Sequence, residues 1–221
     1  MATGFGLTFG EYFSSNRDDI IVRVQQHALL SLYTILCAAV IGIGLAILVH
    51  RMRAAAGISV AVASVGFTLP SVALFGILFS FVGGSLLAVF PPLVMYAVLP
   101  ILRNSVVGLQ NVDEDVLDAA RGMGVNRFRR LWQIELPMAW PVILAGLRVS
   151  AQLTVGIVTI AAFVVDMGLG FYGYSSLDNL GSANTGNEAL VCVLFVALIA
   201  LAFDAVFVVI RRLTMPRGIR V

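Results

Sequence analysis

Apolar residues run through this chain in five long stretches, and the polar residues gather in the connections between them. The first stretch covers about residues 25–49 and closes on the basic turn His50-Arg51-Met52-Arg53. The second, about 55–81, ends at Gly83-Gly84, and the third, about 86–102, stops before Arg103-Asn104. The fourth covers about 138–165 and the fifth about 189–210, which Arg211-Arg212 close. From Ala54 to Leu102 there is no Asp, Glu, Arg or Lys in 49 residues. As helix that segment measures about 73 Å. A bilayer core is about 30 Å thick, so the segment crosses twice. Pro70 predicts a kink in the second helix, because proline removes a backbone donor and crowds the preceding turn. The pattern predicts an all-α integral membrane protein of five transmembrane helices.

Composition agrees. The chain is 60% hydrophobic and 12% charged, with a mean hydropathy of +0.99, whereas soluble domains carry about 25% charged residues. Residues 1–221 are expected to form a single membrane domain, with spans over about 25–210 and a polar loop at 103–137. The N-terminal segment lacks the basic start and continuous apolar core of a cleavable signal peptide, so the first helix is expected to be retained. Cys37 and Cys192 fall in apolar stretches and are expected as small buried hydrophobes, not a disulfide or metal pair. His27 and His50 sit near opposite ends of a span, which speaks against a shared metal site, and no other metal set is expected.

All fourteen basic residues are arginine and there is no lysine. A P-loop needs its lysine to reach the phosphates, so a normal one is excluded, as is a Schiff-base lysine. Arginine placement predicts orientation. One side of the spans holds Arg51, Arg53, Arg103, Arg121, Arg127, Arg129, Arg130, Arg211, Arg212, Arg217 and Arg220, and the other only Arg17 and Arg23. The positive-inside rule then puts the N-terminus outside, with the C-terminus and 103–137 in the cytoplasm.

That cytoplasmic segment is built to dock. Asn111 or Asp113 is a candidate helix cap, Asn111 with Glu114 having capping-box spacing. Asp113, Glu114 and Asp115 sit near the positive end of the helix dipole. The helix is expected to reach about Arg121, with Gly122 or Gly124 ending it. Asn126 is placed to cap a second short helix, about 127–134, which Pro137 follows. The expected product is a helix–Gly–helix hairpin on the membrane face. Small Ala119, Ala120 and Gly124 let such a helix seat deeply in a partner's groove. Arg127, Arg129 and Arg130 are available to a partner protein or to anionic headgroups. An amphipathic loop with no partner is the plainer alternative.

The order of residues in this hairpin is specific. Asp118-Ala119-Ala120 is followed by three residues, Gly124, nine residues, then Ile134-Glu135-Leu136-Pro137. This resembles the "EAA" signature of ABC-importer permeases, with Asp for the usual Glu. The likeness extends to Leu99-Pro100-Ile101-Leu102-Arg103-Asn104, Gly108-Leu109, Arg121-Gly122-Met123-Gly124, Pro141-Val142-Ile143-Leu144-Ala145-Gly146-Leu147-Arg148, and the approach from Asn16 to His27. Over about residues 11–215 the chain resembles permeases of glycine betaine/carnitine/choline uptake systems. The resemblance implies the five-helix core of methionine-type importers in a bacterial cell membrane. It implies a second permease subunit, identical or paralogous, two ABC ATPase subunits, and an extracytoplasmic substrate-binding protein. No cofactor is implied in this chain, ATP and Mg belonging to the ATPase; nucleic acid is not a partner. The chain is then not itself an enzyme. Asp118, Ala119, Ala120, Arg121, Gly122, Gly124, Ile134, Leu136 and Pro137 become the ATPase-coupling residues, and transport by alternating access is implied.

One region departs from the family pattern. After the fourth helix a Gly-Ala-Gly-Gly-Leu-Gly turn is usual, but here Asp166-Met167 precede Gly168-Leu169-Gly170. Asp166 is a candidate attractor for a cationic solute, or simply a solvated helix end. Phe163, Phe171, Tyr172 and Tyr174 offer cation–π surface to a quaternary amine or serve as interfacial anchors. Within the spans, Arg148 and Asp204 lie about 10–15 Å from the cytoplasmic end by helix rise. Charges at that depth pair or face a cavity, which predicts an Arg148–Asp204 ion pair; the alternative is that both snorkel to the headgroups. Competing functions are an importer of methionine, another amino acid or a betaine-like compound, and, from another class, a membrane enzyme or stand-alone channel. No HExxH, paired His/carboxylate set or Ser/Cys–His arrangement at helical spacing supports the enzyme.

Overall fold

A computed structural model describes residues 7–215, so Arg217 and Arg220 lie outside the described residues. The described residues hold helices and no strand. They are α1 (Phe9–Ser15), α2 (Arg17–Val49), α3 (Arg53–Thr68), α4 (Ser71–Val82), α5 (Leu86–Gln110), α6 (Glu114–Gly122), α7 (Arg127–Arg130), α8 (Leu136–Ala161), α9 (Gly170–Asp178) and α10 (Thr185–Thr214). A π-helical turn, Leu131–Glu135, joins α7 to α8.

Four helical segments are long and apolar enough to cross a membrane: α2, α5, the run Arg127–Ala161, and α10. The bent pair α3–α4 makes up to a fifth. Their surfaces carry exposed Val40, Leu48, Ile58, Val62, Val193 and Leu201. Such exposed apolar side chains on long helices suit lipid or a partner, not water.

The second span corrects an expectation. Pro70 does not kink one helix; α3 and α4 are separate helices bent by 84°. Proline lacks an N–H and pushes the preceding residue out of helical geometry. Pro70 therefore leaves α3 and serves, with extended backbone, as the N-cap of α4. The third span also runs further than the charges suggest, to Gln110 instead of Leu102. Ile101, Leu102, Ser105, Val106 and Leu109 are buried while Arg103 is exposed, so the helical stripe continues past the first charge. Sequence reasoning missed α1, which Thr8 and Glu11 start with a reciprocal capping box, and α9.

The residues fall into two compact units. One comprises the chain up to Thr34, Leu69–Val94 and Ala151–Phe203. Its apolar core has two clusters, one around Ile20, Leu169, Tyr172 and Val191, the other around Leu30, Phe75, Val89 and Val158. Gly170 lets α9 approach α8 closely, since a Cβ there would collide with the Thr159 carbonyl. The other unit comprises Ile35–Thr68, Met95–Ser150 and the chain from Asp204. Here Gly146 faces the Pro100 carbonyl and Asn104, with 2.6 Å left for a Cβ against Asn104 Cβ, so α8 and α5 touch through backbone.

Candidate docking element and buried charge clusters

The docking hairpin lies in the second unit. Asp113 caps α6, its Oδ1 accepting the Asp115 N–H at 2.9 Å. Asp113 is therefore the cap and the Asn111/Glu114 box is not used. Glu114 and Asp115 occupy the first turn, where the helix dipole favours negative charge. Beyond Gly122 the Met123, Gly124 and Val125 N–H groups bond back to Ala119, Arg121 and Ala120 carbonyls at 2.9–3.0 Å. Gly124 has φ +76°, a conformation open to glycine at little cost. Asn126 then caps α7, its Oδ1 accepting the Arg129 N–H at 2.9 Å.

The faces of α6 differ from expectation at one position. Ala119, Gly122 and Gly124 are exposed, with the exposed pair Asp118–Arg121 beside them. Ala120 is only 1% exposed, so it packs within its own unit and is not free to seat against a partner. The hairpin also has no second stop. Through the π-turn, α7 runs directly into α8, and Pro137 interrupts nothing. The Leu136 N–H bonds to the Leu131 carbonyl, five residues back. Pro137 follows as the second residue of α8. Ile134 and Leu136 are half-buried and Pro137 is exposed.

The residue between Ile134 and Leu136 carries a role that the sequence pattern does not mark. Glu135 is 3% exposed and gathers three cationic or proton-bearing groups. Its Oε1 accepts from Arg130 Nε at 3.0 Å and from Arg51 Nη2 at 2.9 Å, and its Oε2 meets His50 Nε2 at 3.0 Å. The Gln110 amide donates to the His50 carbonyl at 2.9 Å, which ties in the end of α5. Arg130 is therefore buried and held, not available to a partner as expected; Arg127 and Arg129 remain exposed. The only sequence signal was a lone glutamate following a run of arginines.

Arg148 and Asp204 pair as the sequence predicted. Arg148 Nε and Nη2 donate to the two Asp204 oxygens at 2.5 and 2.9 Å. The fork geometry joins α8 to α10 and is the strong form of this interaction.

The first unit contains a cluster of the opposite sign. The Arg23 side chain, 11% exposed, donates to Asp19 at 2.8 Å and to Asp166 at 3.0 Å. Its guanidinium lies 3.6 Å from the Phe171 ring centroid. Asp166, with a 72% exposed side chain, is a solvated residue that also pairs with Arg23, and the cation over Phe171 is the chain's own. Tyr172 donates to Asp19 at 2.6 Å. Burial, then that hydrogen bond, pushes its phenol well above the ordinary tyrosine range. The Gly168 N–H, at φ +75°, donates to Gln26 Oε1 at 3.0 Å. Phe163 and Tyr174 stack edge-on at 5.2 Å. His27 and His50 make separate contacts, and among the described residues no His, Cys, Asp or Glu group has metal-site geometry. Both cysteines are free; Cys192 is buried but Cys37 is exposed, against expectation.

The arrangement has an exposed hairpin edge, a bent span and fixed charge clusters, and comparisons with known proteins identify the family. The choline transport system permease protein OpuBB of Bacillus subtilis is 28% identical over 95% of this chain and 95% of its own length. The glycine betaine/carnitine/choline transport system permease protein OpuCD of the same species is 37% identical over 73% of this chain and 70% of its own. The osmoprotectant import permease protein OsmW of Salmonella typhimurium is 30% identical over 95% of this chain and 98% of its own. Among solved structures, inward-facing MetNI methionine ABC transporter matches with a TM-score of 0.71 at 22% identity, over 89% of this chain and 96% of that chain. The fold is therefore that of an ABC permease. Residues 38–217 match the family described as binding-protein-dependent transport system inner membrane component, and the chain belongs to that family of inner-membrane permeases.

Proposed function

We propose that this permease translocates a quaternary-amine compatible solute such as glycine betaine. The observation that carries the substrate class is the match, over nearly the full length, to permeases named for choline and osmoprotectant transport. The likeness to the methionine transporter is at 22% identity and speaks for the fold alone. The whole chain acts as one transmembrane domain with 103–137 as its cytoplasmic coupling loop, N-terminus outside and C-terminus inside. It pairs with a second permease, identical or paralogous. Two ATPase subunits dock on α6 and hold the ATP and Mg; a binding protein delivers solute at the opposite face. Closure of the ATPases draws the coupling helices together and turns the spans outward, and hydrolysis resets them.

Support for the docking role comes from the exposed edge Asp118, Ala119, Gly122 and Gly124. The decisive measurement is ATP hydrolysis by the complete complex in lipid nanodiscs with its binding protein. The solute panel holds glycine betaine, carnitine, choline and methionine. Stimulation by the quaternary amines alone is expected; stimulation by methionine alone would overturn the substrate class. Asp118→Arg and Gly124→Trp are expected to abolish solute-stimulated turnover while leaving the chain inserted. Wild-type turnover in both would remove the docking assignment.

A further inference from the structure

The unit that holds the α6–α7 hairpin also carries an open cavity of about 790 Å³. Its wall carries Arg51, Arg53, Arg121, Arg127 and Arg130 against two carboxylates, Glu114 and Glu135. Arg51 and Arg130 are fixed by the buried Glu135, and Arg121 is paired with exposed Asp118. Arg53 and Arg127 have no ion-pair partner among the described residues. The cavity therefore presents an excess of positive charge whose rear wall is already held in place without a ligand.

Such a wall selects an anion by focusing its field. Guanidinium forks match the oxygens of a phosphate in bidentate fashion. The volume is in the range of small-molecule sites and well beyond the needs of one carboxylate. Its position narrows the class further. The wall is made where α2 gives way to α3, at His50 to Arg53, and where α5 ends, at Leu109 to Val112. These are the polar ends of apolar helices, the depth at which lipid phosphates lie, and basic pockets there bind anionic headgroups. Trp132 is 56% exposed on the helical run that carries Arg127 and Arg130, as befits an interfacial ring.

The geometry points to a phosphate-binding cavity on Arg53, Arg121 and Arg127, which takes the phosphodiester of an anionic lipid headgroup or a free phosphate. It needs no assumption about which solute is carried. Because Glu114, Leu117 and Arg121 line the cavity from α6, an occupant bears directly on that helix.

The test uses the assembled transporter, purified in detergent and stripped of lipid. Phosphatidylglycerol, phosphatidylcholine and inorganic phosphate are titrated separately, with bound mass read by native mass spectrometry. Tighter binding of phosphatidylglycerol than phosphatidylcholine is expected. Each arginine near a lipid surface contributes about fivefold, so Arg53→Gln with Arg127→Gln is expected to weaken it roughly thirtyfold. The charge-conserving pair Arg53→Lys and Arg127→Lys retains most of the preference, and Arg103→Gln, outside the cavity wall, leaves it unchanged. Failure of inorganic phosphate to displace the lipid assigns the cavity to a headgroup; displacement assigns it to free phosphate. Equal binding of the two lipids with no phosphate binding, wild-type affinity in the double glutamine variant, or an equal loss in Arg103→Gln would overturn the assignment.

Discussion

Each unit of this permease gathers charges around a buried central ion, and the two central ions have opposite signs. In one, the Arg23 guanidinium serves Asp19, Asp166 and the face of Phe171. In the other, the Glu135 carboxylate serves Arg130, Arg51 and His50. The partners differ in exposure. Asp19 and Asp166 side chains are 50% and 72% exposed, so water rehydrates them easily. Arg130 and His50 side chains are 8% and 6% exposed and have little access to water. The Arg23 cluster is a clasp on the surface, whereas the Glu135 cluster is interior except at Arg51, whose side chain is 36% exposed. The lesson is that a buried ion's worth depends on what its partners do without it.

This contrast predicts a ranking. Glu135→Gln leaves buried Arg130 short of its counter-charge, and removing one partner of a buried pair costs about 3 kcal/mol or more. Thermal melting of the detergent-solubilised chain should show the largest loss of all the changes considered; an unaltered melting point would mean that the cations find water. Arg23→Ala releases two solvent-accessible carboxylates and removes stem packing, for a smaller loss of about 1–2 kcal/mol. A melting loss equal to that of Glu135→Gln would erase the distinction between the clusters. The Arg148–Asp204 pair is intermediate in exposure, at 43% and 23% of the side chains. Reversal of either charge is expected to lower the yield of assembled permease, and reversing both should recover it, with a coupling of about 1 kcal/mol. A double reversal no better than the singles would show that the surroundings, not the pair, set the cost.

How much of this could be read beforehand follows from the same physics. Spans were visible because lipid demands long apolar runs, and Arg148 with Asp204 stood out because few charges occur inside such runs. The caps Asp113 and Asn126 were visible because capping is local. Glu135 was not, since its partners include His50 and Arg51, 85 and 84 residues away. Arg23 looked like an ordinary span-end charge and was counted only for orientation; its partner Asp166 is 143 residues distant. The helix α9 was hidden because its start is placed by a tertiary contact, Gly170 against the Thr159 carbonyl of α8, and proline's local effect at Pro70 does not give the angle of the break.

The unbroken passage from α7 through the π-turn into α8 makes a lever. From Arg127 to Arg148 the rod runs roughly 30 Å at helical rise, with no loop to take up slack. A tilt of about 5° at the Arg127 end would swing the Arg148 end by roughly 3 Å on that arm, and Arg148 is anchored to Asp204 on α10. Small rotations delivered at the membrane face thereby become displacements the size of a side-chain contact, inside the apolar layer.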